Sequence, residues 1–139
     1  MNRLVTLIAA CACLCLASSV WAGDFVVIIN KANTSSIDKA AVLGVFTGQK
    51  KSWDDGQAAM PVDLPEDSPV RASFSSEILG KTVANLKALW AQMVFSGKAL
   101  PPRTAASDDD VKKLVSANKG AIGYIKASSA DDSVKVALK

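Results

Sequence analysis

Phe25-Val26-Val27-Ile28-Ile29 is an unbroken apolar run with four β-branched residues, closed by Asp24 on one side and Asn30-Lys31 on the other. A strand without polar alternation has no side to show to water, so it must be covered on both faces. Such a strand belongs in a parallel or mixed sheet with helices above and below. Ser35-Ser36-Ile37-Asp38 places a hydroxyl three residues before a carboxylate, as at a helix start. Ile37, Ala40, Ala41 and Val45 follow at helical spacing, and Gly48 stops the helix. Residues 50–56 form a polar turn carrying Trp53, which is expected to cover that turn. Ala59–Leu64 predicts a second strand; Pro61 and Pro65 mark it as short or at an edge. Ser68-Pro69 opens another helix, with Ser as cap and Pro in the first turn. Phe74, Ile78 and Leu79 are its apolar members, and Gly80 closes it.

Val83, Leu86, Leu89, Trp90 and Met93 give the longest amphipathic helix, with Trp90 on its buried stripe and Gly97 as its stop. Pro101-Pro102 reads as a rigid extended link. Ser107-Asp108-Asp109-Asp110 is a capped helix start with three carboxylates at the positive end of the dipole. Val111, Leu114 and Val115 face inward. Ala121–Ile125 predicts a third strand. Val134–Leu138 alternates apolar and polar residues and predicts a fourth, at an edge. The expected order is β-α-β-α-α-α-β-β: an α/β fold with a three-layer mixed sheet flanked by helices.

Residues 1–22 are read apart from this fold. Arg3, an apolar run from Leu4 to Leu16, and Val20-Trp21-Ala22 follow the layout of a secretory signal peptide, with cleavage expected before Gly23. A membrane anchor would need nearly all of Leu4–Ala22 to span. A lipoprotein reading of Ile8-Ala9-Ala10-Cys11 leaves a very short apolar core ahead of the cysteine. Cys11, Cys13 and Cys15 all lie in this segment, so residues 23–139, expected to form a single domain, contain no disulfide and no thiolate. The expected location is periplasmic or secreted.

The chain has no histidine, 16 Lys plus Arg and 13 Asp plus Glu, for a formal charge of +3. Imidazole-based catalysis and imidazole metal sites are thereby excluded, and the charge is too small and dispersed for nucleic-acid binding. The carboxylate clusters Asp54/Asp55, Asp108–Asp110 and Asp131/Asp132 do not assemble an acid/base pair, and no P-loop, calcium loop or nucleophile elbow is present. The expectation is a non-enzymatic chain without cofactor or metal. Anion binding remains. Helix N-termini beyond the carboxyl ends of strands offer free amides and partial positive charge. Two places fit: Thr34-Ser35-Ser36 and Asp67-Ser68-Pro69-Val70-Arg71. In the second, the Ser68 hydroxyl and the amides of Val70 and Arg71 would contact an oxyanion and the Arg71 guanidinium would neutralise it. Ser35 or Ser36 would approach from the neighbouring loop. The alternative leaves Ser68 a cap and Arg71 a solvated side chain.

Two stretches carry a family resemblance. VLGVFTGQKKSWDDG at 42–56 resembles the F-x-G…W-x-x-G segment of phosphate-type periplasmic substrate-binding proteins, and GAIGYI at 120–125 resembles their GaIGYv strand. Ser68 and Phe74 keep the spacing of the family's Ser-Gly-Thr phosphate loop and its following helical phenylalanine. The resemblance covers about Phe25–Ala127. It implies one lobe of a type 2 periplasmic-binding fold, inorganic phosphate or a similar oxyanion as ligand, and a membrane ABC permease as partner. The departures are specific. Pro69 and Val70 stand where the loop has glycine and threonine, and Leu64-Pro65 occupy the stretch where the family often has an arginine. One lobe leaves an open site, with affinity expected near millimolar unless a second copy or another protein completes it. A single lobe that has lost its ligand would instead be a protein-interaction or sensory module.

Overall fold

The computed structural model describes residues 24–139; the expected leader and its three cysteines lie outside them. The first strand, β1 (Phe25–Ile29), is buried along its whole length. It is followed by α1 (Lys39–Phe46), β2 (Met60–Asp63), α2 (Pro69–Phe74), α3 (Val83–Phe95), β3 (Arg103–Thr104), α4 (Asp108–Ala117), β4 (Ala121–Lys126) and β5 (Lys135–Leu138). The five strands form one mixed sheet in the order β3-β2-β4-β1-β5. β2 is parallel to β3 and β4, whereas β1 is antiparallel to β4 and β5.

Both sheet faces are covered, as the apolar run of β1 requires. The register pairs Val27 with Tyr124 and Ile28 with Gly123, which fixes two opposite sets of side chains. On one face, Tyr124 stacks on Phe74 of α2 at 3.9 Å, and Phe74 meets Phe25 and Phe46 edge-on at 5.8 and 4.9 Å. On the other, Gly123 leaves room for Val111 and Val115 of α4. Asn30, at the end of β1, donates to the carbonyls of Val115 and Ser116, satisfying orphan acceptors at the end of α4.

Three expectations are corrected. The sheet has a fifth strand: beyond Pro101-Pro102 the chain makes a two-residue parallel pair with β2, too short to leave a periodic pattern. β2 is therefore short but interior. Pro61 is tolerated because β3 begins only opposite Val62, and Met60 makes the amide bond to the β4 side, at Gly120. The start of α1 is capped by Asp38, whose side chain accepts from the Ala41 amide at 2.7 Å, so Ser35 and Ser36 stay in the preceding loop. The helix opened by Ser68 is α-helical only to Phe74; a π turn, Ser75–Leu79, carries it to Gly80 at φ +64°. Trp53 is buried and donates to the Gly120 carbonyl at 2.8 Å, tying its turn to the start of β4. Trp90 is buried and donates to Phe46 at 3.1 Å, fastening α3 to α1. Among the described residues no helix is long and apolar enough to cross a membrane.

Candidate functional site

The parallel strands β2 and β4 end side by side, and the helices entered near those ends begin there. Ser68 caps α2, accepting from the Arg71 amide at 3.3 Å; Ser107 caps α4, accepting from the Asp110 amide at 3.2 Å. A capping serine uses an oxygen lone pair for the helix and keeps its O–H free to donate. The two N-termini border one cavity of about 470 Å³, lined by Leu64, Pro65, Asp67, Ser68, Pro69, Val70, Ala106, Ser107, Asp108 and Lys126. Two hydroxyl donors, two positive helix ends and one ammonium therefore share a depression at the carboxyl edge of the sheet. Asp67 and Asp108 work against an anion there. Asp108 is engaged elsewhere: its Oδ2 accepts from the Lys126 amide at 3.1 Å and the Ser129 hydroxyl at 2.8 Å.

Of the residues singled out in the sequence, the structure brings Ser68 and Val70 into this cavity. Arg71 does not line it. Its Nη1 donates to the Leu64 carbonyl at 2.8 Å and its Nη2 lies 3.7 Å from Asp63, with both side chains largely buried. The guanidinium is thus turned under the loop that precedes α2. Ser35 and Ser36 lie at the opposite end of the sheet. Because β1 runs antiparallel to β4, Ile29 stands level with Ile122 near the start of β4, whereas Ser68 follows the end of β2. Ser68 and the Ser35-Ser36 loop cannot hold one ion together.

Sequence reasoning missed two features. Lys126 directly follows the GAIGYI strand, but only the strand order shows that this end meets the start of α2. The second is a buried polar cluster. Tyr124 donates to Asp63 Oδ1 at 2.5 Å and accepts from the Leu64 amide at 3.3 Å, so both backbone groups of Leu64 are held by side chains. Burial pushes the Asp63 carboxyl above its usual range, against the lowering effects of the Tyr124 hydroxyl and Arg71. Burial, with the adjacent Asp63 charge, raises the Tyr124 phenol strongly.

A five-stranded mixed sheet thus lies between helix layers, with a polar depression at the ends of its parallel strands. The PBP superfamily domain profile matches residues 15–138, and the chain belongs to that family. No curated protein matches it significantly. Among solved structures, an ABC-type phosphate transport receptor from Vibrio cholerae superposes with a TM-score of 0.64 at 23% identity, covering 81% of this chain and 44% of that one. A protein from Clostridium perfringens, described as a phosphate ABC transporter substrate-binding protein and solved with bound phosphate, gives 0.66 at 22% identity, covering 84% and 46%. PstS from Borrelia burgdorferi gives 0.54 at 14%, covering 73% and 40%. The chain thus spans less than half the length of each of these proteins, and what they share with it is the fold.

Proposed function

We propose that this chain is an exported, non-enzymatic oxyanion-binding protein, with phosphate as its ligand, acting periplasmically as the substrate-binding partner of a membrane ABC permease. The observation that carries the reading is the cavity in which the Ser68 and Ser107 hydroxyls, two helix N-termini and Lys126 converge. The bound phosphate in the Clostridium perfringens relative supports the choice of ion. Here Lys126 takes the neutralising role expected of Arg71. The site is open, and Asp67 and Asp108 offset its positive charge, so affinity is weak: a Kd of about 1 mM, or about −4 kcal/mol. A second copy or another protein closing over the cavity would tighten it. Isothermal titration of phosphate into a chain beginning at Gly23, with sulfate as control, tests the reading. A Ser68→Ala, Lys126→Gln double variant should lose the heat. Equal binding by parent and variant would remove the site from Ser68 and Lys126.

A second reading is favoured by Arg71 being tied to Leu64 and Asp63 and by Pro69-Val70 in the loop. In it the lobe is a protein-interaction or sensory module that has lost its ion. Absence of heat at about 10 mM phosphate, together with one partner recovered reproducibly whether or not phosphate is present, would decide for this reading.

A further inference from the structure

α3 ends in an uncovered apolar tip. Phe95 is 95% exposed and Leu100 83%, on either side of a tight turn through Ser96-Gly97, and Val94 beside them is 45% exposed. Behind them lies a hollow. A cavity of about 780 Å³ separates this end of α3, with Trp90, Val94 and Phe95, from Pro101 and Pro102. Exposed apolar residues scattered singly are ordinary, but two large ones gathered at one turn form a patch.

The charges around the tip that lack an ion-pair partner have one sign. From Ala88 to Ser107 there is no Asp or Glu, and Lys98 and Arg103 are exposed. Lys51 joins them, its Nζ donating to the Lys98 carbonyl at 2.7 Å. No carboxylate pairs with Lys51, Lys98 or Arg103 among the described residues. Glu66, which lines the hollow, pairs with Lys87, and Asp54, on a flanking segment, pairs with Lys50. Asp63, at the floor of the hollow, pairs with Arg71.

We infer that this tip is a membrane-surface anchor. Phe95 and Leu100 enter the headgroup boundary of an anionic bilayer, and Lys51, Lys98 and Arg103 rest on its phosphates. An apolar point in a cationic collar gains from both parts of such a surface: burial from the acyl boundary and attraction from anionic headgroups. A fluid lipid boundary also conforms to a protruding tip. The inference is independent of the Ser68 cavity and stands whether or not that cavity binds an ion.

The test is vesicle co-sedimentation of a chain beginning at Gly23, which carries every described element without the apolar run of residues 4–22. Phosphatidylglycerol–phosphatidylethanolamine vesicles should carry the protein down. Phosphatidylcholine vesicles, or about 0.5 M salt, should reduce binding at least about tenfold. A Phe95→Ser, Leu100→Ser variant should keep its circular dichroism, because both side chains are exposed, and lose about tenfold or more in partitioning. Lys98→Gln with Arg103→Gln should abolish the preference for anionic lipid. Failure of the parent to sediment would overturn the inference. So would equal partitioning of the Phe95/Leu100 variant. Sedimentation equilibrium showing that this variant dissolves a dimer would overturn it too, by assigning the tip to a second copy of the chain.

Discussion

Tyr124 serves two layers at once. Its ring stacks on Phe74 in the aromatic cluster, and its hydroxyl joins Asp63 to the Leu64 amide. Tyr124→Phe keeps the stack and removes both bonds, leaving a buried carboxylate and a buried amide short of a partner. Urea unfolding should show a loss of about 1–3 kcal/mol. Asp63 adds a pH dependence whose sign follows from its raised pKa. The folded state holds the Asp63 proton more tightly than the unfolded chain does. Its contribution is therefore full below the ordinary value of 3.8 and is lost as pH rises through the raised folded value. Asp63→Asn cannot titrate, so its stability measured relative to the parent should rise between about pH 4 and pH 7; a flat difference would contradict the assignment. This cluster was illegible in the sequence because Asp63, Arg71 and Tyr124 belong to three elements whose adjacency is set by the sheet order. The capping role of Ser68 was legible, since Ser-Pro ahead of an apolar helical pattern states it locally.

Elements with a strong period were readable; those defined by a partner were not. β1, β4 and the four helices announce themselves by apolar runs or three- and four-residue spacing. β3 has two residues and exists only because β2 lies beside it. The cap of α1 fell to Asp38 instead of a preceding serine because both residue types suit that position and the loop fixes which one reaches the first turn. The α4–β4 contact makes a quantitative prediction. A Cβ on Gly123 would lie 2.6 Å from Val111 Cγ1, and a β-branched side chain in a helix cannot swing aside. Gly123→Ala should push α4 from the sheet and cost about 1–3 kcal/mol in urea unfolding. A neutral or stabilising result would mean that α4 is free to slide along β4.

For the whole molecule, the open cavity sets how strongly any ligand can act. If phosphate binds with a Kd of about 1 mM, then about 10 mM stabilises the fold by about 1.4 kcal/mol, or roughly 6 °C in Tm for a domain of this size. Sulfate at equal ionic strength should give less, and Ser68→Ala with Lys126→Gln should remove the difference. Equal shifts for both ions would report general stabilisation by anions excluded from the protein surface and no site. The strand order has a separate consequence for how the protein is made. β1 is the earliest strand in the described chain, yet both its neighbours, β4 and β5, come from the last elements: Ile28 lies opposite Gly123 on one side and Val136 on the other. During synthesis its two edges stay unpaired until nearly the whole chain has emerged, and closure then spans about a hundred residues. Such a chain stays without its central sheet for as long as its tail is missing. Cut short before β4, it would present the apolar run of β1 to whatever captures unfinished chains.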